Sequence, residues 1–434
     1  MKKVLEQKEV FVAVDLGNTK LLAMAAERTA EGKLHILGEE EAPTPADAIR
    51  YGIICNATKV VTEVNVLLSK LNNRVKMALG TSLKIVRFYA SVNGRTLHSF
   101  KISCSARSQK KIAFTAEGEN NLRAKTPFGK DAIWAEKANF TLLETQLPKN
   151  FVYDLIPLEY YLDGSLTIEP AGILYTEIKV NYLAIASQRT LCENLRSFES
   201  KLNSYAMIKS IGAKQMGEIY LTSNEKQLGT ALIDFGAKCT TMTIYQGGKL
   251  AYVGCLPLGG YDITHDLMHF DKRLDLYSAK ILKGMGSAIV DRKNRSKISL
   301  PNVEGAVYEK SQIDTIINAR QSEIFGYIAA EMEKYGFANK LPGGVVITGG
   351  ASVVNGFDDL LQQMLSCKVR HLRLKDFLTP ESEADAKREN AMILSLLLTA
   401  TEPCCEPDNG EKPKPTRNKK GFLERVGTFF NDEL

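Results

Sequence analysis

The sequence lacks a long uninterrupted apolar segment of the kind that crosses a bilayer as a helix. Such a helix needs about 20 predominantly apolar residues, whereas the longest mainly apolar segment here runs from Met392 to Leu398 and is typical of a buried helix. Residues 1–10 include lysines but no apolar core of a signal peptide. We therefore expect neither a membrane-spanning helix nor a cleaved leader.

The signatures of metal binding and nucleic-acid binding are also absent. The eight cysteines include no CxxC pair, and the five histidines do not join them at metal-ligand spacing. The net charge of +6 is modest, and no basic stretch is interleaved with aromatic residues. We therefore expect reduced thiols in a cytosolic setting and no nucleic-acid partner.

The sequence does contain a layout that occurs twice. A buried strand, an Asp-x-Gly turn, a second strand, a glycine-containing turn and a third strand follow one another from Val10 and again from Gly229. The repeat is weak in residue identity but consistent in order. It predicts two similar α/β cores.

Both Asp-x-Gly turns are suited to phosphate. A glycine lets the backbone approach phosphate oxygens closely, peptide N–H groups donate to them, and the aspartate can hold Mg²⁺ through water. The candidate residues are Asp15, Gly17, Asn18, Thr19 and Lys20 in the first turn and Asp234, Gly236, Ala237, Lys238 and Thr240 in the second, with Asp15 and Asp234 as the magnesium residues. Lys20 adds a point charge. The alternative for each is a plain tight turn.

A third glycine turn ends the buried strand at residues 345–348. It supplies Gly349, Gly350, Ala351 and Ser352. A glycine pair at a strand end permits close packing against a flat base or ribose. This turn also has the plain alternative.

These motifs resemble those of a known superfamily. Ala13-Val14-Asp15-Leu16-Gly17, Ile233-Asp234-Phe235-Gly236 and Ile347-Thr348-Gly349-Gly350-Ala351 are similar to the phosphate-1, phosphate-2 and adenosine motifs of the actin/Hsp70/sugar-kinase superfamily. Within it, residues from about 10 to 399 resemble the FtsA family of bacterial cell-division proteins. The resemblance implies an actin-like, two-lobed α/β fold of duplicated ribonuclease H-like cores that binds ATP and Mg²⁺. It adds Gly259, Gly260 and Lys283 to the nucleotide site.

The resemblance also implies a domain order. We expect a first lobe at 1–84 and 159–210, a small inserted α+β subdomain at 85–158 that serves self-association, and a second lobe at 211–400. A flexible linker is expected at 401–420, because proline and charge dominate there. A membrane-binding helix is expected at 421–434.

Two departures from the family pattern concern catalysis. The second turn has Ala237 and Lys238 where the family usually has further glycines, and no carboxylate occurs at Ala279 or Lys280. We find no residue placed as a general base. We therefore expect nucleotide binding with at most a weak ATPase activity, and we name no catalytic residue.

The last residues form an amphipathic pattern. Phe422, Leu423, Val426, Phe429 and Phe430 make one apolar stripe on a helix, and Lys419, Lys420 and Arg425 lie beside it. A bulky apolar face with basic flanks is typical of a helix that lies on an anionic membrane surface. The alternative is a helix that packs back on its own domain.

A partner surface is implied by the resemblance alone. The segment around residues 316–324 is similar to the FtsA segment that receives the C-terminal tail of FtsZ. The resemblance implies that Arg320 pairs with an acidic group of that tail and that Glu323 belongs to the same partner-binding surface. The alternative is a solvated helix face where Glu323 satisfies Arg320.

The resemblance implies a protein that self-associates as a homopolymer on the cytoplasmic face of the cell membrane, at the division site, and tethers FtsZ filaments there. It also implies other division proteins as partners. A small-molecule kinase of the same superfamily and an actin-like assembly protein of the rod-shape or pilus type remain rivals.

Overall fold

The computed structural model describes residues 9–81, 83–124, 150–202 and 204–408. The chain forms two compact units. The first comprises the residues up to 98 together with 190–407, and the second is formed by 99–189.

The strands range from 2 to 16 residues in length and occur throughout the described part of the chain. In chain order they are β1 Val10–Leu16, β2 Lys20–Arg28, β3 Leu34–Pro43, β4 Ile49–Arg50, β5 Ile53–Ile54, β6 Leu83–Ile85, β7 Arg87–Ser91, β8 His98–Ala113, β9 Asn150–Leu162, β10 Ser165–Thr167, β11 Leu174–Gln188, β12 Ala206–Ser210, β13 Thr230–Phe235, β14 Thr240–Gln246, β15 Lys249–Leu256, β16 Lys297–Ser299, β17 Val307–Glu309, β18 Val345–Thr348, β19 Val369–His371 and β20 Cys405–Pro407.

The helices lie between the strands and after them. They are α1 Ala57–Leu79, α2 Ala116–Ala124, α3 Arg189–Ser200, α4 Gly212–Tyr220, α5 Ser223–Leu228, α6 Gly260–Phe270, α7 Leu276–Met285, α8 Lys310–Lys334, α9 Phe357–Leu365 and α10 Ala391–Thr399. Four short 3-10 helices add Gly350–Val353, Leu374–Phe377, Pro380–Asp385 and Arg388–Asn390.

The first unit contains two sheets with the same topology. The first has the strand order β12-β7-β1-β2-β3, and the second has the order β19-β18-β13-β14-β15. In each, three antiparallel strands in hairpin succession are extended by two parallel strands. The predicted duplication is therefore confirmed. We call the part built on the first sheet the first lobe and the part built on the second sheet the second lobe.

Helix α1 shows how the sequence places its ends. The Asn56 side chain accepts a hydrogen bond from the N–H of Lys59 at 3.1 Å, which caps the first turn. Gly80 ends the helix in the left-handed conformation, with φ of 62°. The side chains at helical spacing are buried, as their periodicity predicts; they are Val60, Val61, Val64, Leu67, Leu68 and Leu71.

The second unit holds the strands β10, β9, β11 and β8, in that order, together with α2. Its span of 99–189 differs from the predicted subdomain at 85–158. Strand β7, inside the predicted range, pairs with β1 and β12 in the first lobe. Strand β11, outside that range, pairs with β9 along 11 residues. The two boundaries of the second unit therefore differ from the prediction because they are decided by hydrogen bonds between strands far apart in the sequence.

The predicted linker also begins too early. Strand β20 pairs with β6, and the N–H of Cys404 donates to the carbonyl of Val10 at 2.7 Å. The Tyr89 hydroxyl accepts from the N–H of Glu402 at 2.7 Å. These bonds fix residues 401–407 to the first lobe, so the prediction of a flexible linker is wrong there.

The apolar segment at the end of the core is confirmed as a buried helix. Residues 391–397 of α10 are all buried, and the helix packs on β1, β7 and α4. The predicted membrane helix at 421–434 lies outside the described residues. Within them, no helix is both long enough and apolar enough to cross a membrane.

Candidate nucleotide-binding site

Two aspartates end equivalent strands of the two lobes. Asp15 lies near the end of β1 and Asp234 near the end of β13. Burial raises the pKa of Asp15 to about 6, although the nearby Lys20 ammonium lowers it. Burial and the negative charge of Asp15 raise the pKa of Asp234 to about 7. Each carboxyl therefore holds its proton more tightly than an exposed one. A cation between the two would offset the free-energy cost of burying their negative charges.

The second aspartate is held in place by the core of its lobe. Side chains alternate along a strand, so Phe235 and Asp234 lie on opposite faces of the sheet. The ring of Phe235 packs edge-on against two others, with its centre 4.7 Å from that of Phe357 and 5.8 Å from that of Phe325. This aromatic cluster fixes the end of β13 and with it the carboxylate.

The first turn is tight and presents backbone donors. A Cβ on Gly17 would lie 2.5 Å from the carbonyl of Lys20, so only glycine fits there. The Asn18 side chain accepts a hydrogen bond from the N–H of Gly52 at 2.9 Å. This bond connects the turn to the residue that precedes β5. Across the described residues, the N–H groups of Asn18 and Thr19 have no acceptor. They are available to an anion.

The second turn keeps its shape despite the two side chains that replace the family's glycines. The N–H of Gly236 donates to Cys239 at 2.9 Å and closes the turn. Lys238 places its ammonium 4.5 Å from the centre of the Tyr261 ring. In the described part of the chain the N–H groups of Ala237 and Lys238 have no acceptor. The altered residues therefore leave two donors open.

Thr240 has a supporting position rather than an open one. It is buried, and its hydroxyl donates to the carbonyl of Leu258 at 2.9 Å. The bond joins the start of β14 to the loop before α6. The hydroxyl hydrogen is thus already used within the protein.

The start of α6 packs directly on the second turn. The N–H of Gly260 donates to Gly236 at 3.0 Å, and that of Tyr261 donates to Ala237 at 2.6 Å. The ammonium of Lys283, on α7, donates to the carbonyl of Gly260 at 2.9 Å. Burial and the nearby Lys280 lower the pKa of Lys283 to about 8. Lys283 therefore lies beside the start of α6, with one of its donors already engaged.

The third turn closes on the same place. Gly349 has a φ of 92° and lies so near Asp234 that a Cβ on it would collide with the carboxylate. A Cβ on Gly260 would lie 2.7 Å from Ala351. Ser352 is buried and donates to the carbonyl of Gly349 at 2.8 Å, so it shapes the turn from inside. The third turn therefore meets the second turn and the start of α6.

Three residues that the sequence did not indicate also reach the site. Lys20 lies 3.1 Å from Glu41 and 3.6 Å from Glu389. The carbonyl of Arg388 accepts from the N–H of Gly349 at 3.2 Å. Glu389 is more than 300 residues from Lys20 in sequence, so no local pattern signals the contact.

Arg320 and Glu323 lie on α8 and belong to a different surface. Arg320 makes two hydrogen bonds to Asp266, at 2.6 and 2.9 Å, and one to Glu323 at 2.5 Å. These bonds raise the pKa of Arg320 further. The alternative of internal pairing is therefore observed, with Asp266 as a second acceptor. The predicted membrane contacts, from Lys419 to Phe430, lie outside the described residues.

The donor set is compatible with magnesium held mainly by water and phosphate. The described residues contain no group of three or more His, Cys, Asp and Glu side chains placed to hold a metal. Magnesium at nucleotide sites usually keeps several waters and takes one or two carboxylates plus phosphate oxygens. Asp15 and Asp234 supply two carboxylates, and the turns supply donors for phosphate.

The sequence is similar to those of known cell-division proteins. The sequence model described as "Cell division protein FtsA" matches residues 231–390. The cell division protein FtsA of Porphyromonas gingivalis is 22% identical over 403 residues, covering 92% of this chain and 79% of the relative. That of Bacillus subtilis is 24% identical over 371 residues, covering 83% and 78%.

A solved structure shows the same fold. A chain of the PilM-PilN type IV pilus biogenesis complex superposes with a TM-score of 0.60 at 14% sequence identity, covering 91% of this chain and 99% of that one. At this identity the likeness concerns the fold alone. With the two equivalent sheets, it confirms the expected actin-like fold class. The sequence model and the relatives confirm that the chain resembles cell division protein FtsA.

Proposed function

We propose that this protein binds ATP with Mg²⁺ between its lobes, self-associates on the cytoplasmic face of the cell membrane, and tethers FtsZ filaments there through its C-terminal amphipathic helix. The observation that carries the nucleotide-binding part is the pair Asp15 and Asp234. They end equivalent strands, the negative charge of Asp15 acts on Asp234, and their pKa values are raised to about 6 and 7.

A magnesium ion would supply positive charge between these carboxylates and the phosphates. Asp15 and Asp234 would hold it through its water shell. The open N–H groups of the two phosphate turns would bind the phosphate oxygens, as in other glycine-containing anion sites. Gly349 and Gly350 would leave room for the nucleoside.

Binding matters more than turnover in this proposal. Thr240 uses its hydroxyl to support the second turn, and the carboxylates of Asp15 and Asp234 are assigned to the magnesium ion and not to a general base. A tether needs a nucleotide that holds the lobes in one arrangement. It does not need fast hydrolysis.

The tether is supported by the tail pattern and by where the chain leaves the core. Residues 401–407 are fixed to the first lobe by β20 and by the bonds of Cys404 and Glu402. From Asp408, thirteen residues precede Gly421. At a maximum of about 3.3–3.6 Å per residue, they reach roughly 45 Å. The amphipathic segment can therefore contact a membrane without moving the core.

The partner surface is supported by an open groove at the start of α8. It has a volume of about 490 Å³ and is lined by Phe270, Arg292, Ser311, Gln312, Thr315 and Ile316. Arg292 is exposed, whereas Arg320 is already paired with Asp266 and Glu323. A peptide with an acidic group and apolar side chains could pair with Arg292 and pack against Phe270 and Ile316 in this groove.

Titration calorimetry with ATP tests the nucleotide-binding part. The full chain should bind ATP at pH 8 with magnesium present and bind it at least about tenfold more weakly when magnesium is removed. Asp234→Asn should show the same loss with magnesium present. Asp358→Asn, on the exposed surface of the same lobe, is the matched control and should bind as the unaltered chain does. Equal affinity with and without magnesium would reject the assignment.

A further inference from the structure

Three consecutive charged residues, Lys387, Arg388 and Glu389, contact both lobes at the candidate nucleotide site. Lys387 lies 3.4 Å from Glu39 on β3, and Glu389 lies 3.6 Å from Lys20 on β2. Arg388, between them, binds the third glycine turn. We refer to these three residues as the latch.

The latch is held firmly on the side of the third turn. The Arg388 guanidinium donates to the carbonyl of Ser352 at 2.7 Å. Its own carbonyl accepts from the Thr348 hydroxyl at 3.0 Å and from the N–H of Gly349 at 3.2 Å. With its guanidinium and its carbonyl both bonded to the third turn and the strand before it, Arg388 fixes the backbone that precedes Glu389.

Glu389 lies between the two ends of the proposed nucleotide. Its Cβ is 3.6 Å, and its Oε2 3.9 Å, from the place where a Cβ on Gly350 would be. Its other oxygen faces Lys20, the predicted phosphate contact. Burial lowers the pKa of Lys20, but Glu41 and Glu389 outweigh that effect and raise it. The ammonium is therefore already neutralised by protein carboxylates.

The two carboxylates that bind Lys20 differ in where they are attached. Glu41 belongs to β3, which pairs with β2 in the same sheet, so it stays beside Lys20 whatever the second lobe does. Glu389 is bound to the third turn through Arg388 and is followed closely by α10, which packs on β1 and β7 of the first lobe. Of the two carboxylates, Glu389 is therefore the one that lies beside both Lys20 and the third turn.

We infer that Glu389 competes with the phosphates of the nucleotide for Lys20, so that the latch closes the empty site and is released when a nucleoside triphosphate binds. A carboxylate at this place repels the incoming phosphates and occupies their cation. The inference rests on the proposed nucleotide binding and assigns to it a residue that exchanges with the ligand.

The substitution Glu389→Gln tests it, because glutamine keeps the shape and removes the charge. ATP should bind about threefold to tenfold more tightly, as expected for the loss of one partly exposed competing ion pair. Adenosine, which has no phosphate, should bind within about twofold of the unaltered chain. Glu383→Gln is the matched control. The Glu383 carboxylate pairs with Lys375 in the segment between β19 and α10, which also contains Glu389, and the ATP affinity of this variant should not change.

Each other outcome has a distinct meaning. If Glu389→Gln binds ATP no more tightly, or gains equally for adenosine, the competition is overturned while nucleotide binding stands. If it binds ATP more weakly, Glu389 is a ligand of the nucleotide and the inference is wrong. If neither the variant nor the unaltered chain binds ATP, the proposed nucleotide site itself fails and the latch fails with it.

Discussion

Gly349 lies against the carboxylate of Asp234, in the place where any larger residue would put its Cβ. The backbone at Gly349 also has a φ of 92°, a conformation that other residues rarely adopt. The contact joins the third glycine turn to the aspartate of the second phosphate turn. The arrangement of the whole site therefore depends on the absence of one side chain.

Replacing Gly349 with alanine should damage both stability and binding. The positive φ and the collision with Asp234 together should cost about 1–3 kcal/mol of unfolding free energy, and ATP affinity should fall because the carboxylate is displaced. Urea denaturation and calorimetry measure the two effects. Gly284→Ala is the control, since no atom lies within 4 Å of a Cβ there and alanine favours the end of helix α7. A Gly349→Ala variant as stable as that control would contradict the packing described.

The pair Asp15 and Asp234 should make stability depend on pH. Their pKa values are raised from 3.8 to about 6 and about 7. Because the folded protein binds their protons more tightly than the unfolded chain does, their contribution is full below about pH 4 and is lost as pH rises through 6 and 7. Asp234→Asn removes the charged form, so the variant should gain about 1–2 kcal/mol relative to the unaltered chain between pH 5 and pH 8.

Magnesium separates this effect from general acid denaturation. Above pH 7 it should raise the melting temperature of the unaltered chain and leave that of Asp234→Asn unchanged, because the ion replaces the missing protons between the carboxylates. A stability difference between the two chains that stays constant across this pH range would show that Asp234 is not held in its protonated form.

The groove at the start of α8 should contribute to partner binding through Arg292. Arg292→Ala should weaken binding of an FtsZ C-terminal tail peptide about fivefold or more, whereas Arg295→Ala should not, because Arg295 is exposed beside Glu309 and outside the groove. Arg320→Ala should weaken binding too, if the tail exchanges with Asp266. Fluorescence anisotropy of a labelled tail peptide measures all three, and equal affinities would remove the groove from the partner surface.

Local sequence patterns predicted the parts of the fold that depend on neighbours in the chain. The hairpin layout of β1 to β3, its repetition in β13 to β15, and the periodicity of α1 are confirmed. Each arises from alternation or helical spacing within a few residues. The glycines of the three turns were recognisable because close backbone approach requires them.

Contacts between distant segments could not be predicted in this way. The boundary of the second unit depends on β7 pairing with β1 and β12, and the start of the linker depends on β20 pairing with β6. The contact of Glu389 with Lys20 depends on the segment between β19 and α10, whose charged residues form no recognisable motif. In each case hydrogen bonds or ion pairs between segments far apart in the sequence decide the outcome.

The tether is the central claim, and vesicle co-sedimentation tests it most directly. The full chain should sediment with vesicles that contain anionic lipid and bring FtsZ filaments with it, while a chain that stops before Gly421 should stay in solution and still bind ATP. Neutral vesicles should capture much less of the full chain. Equal sedimentation of the full and shortened chains would contradict a membrane tether that works through its C-terminal helix.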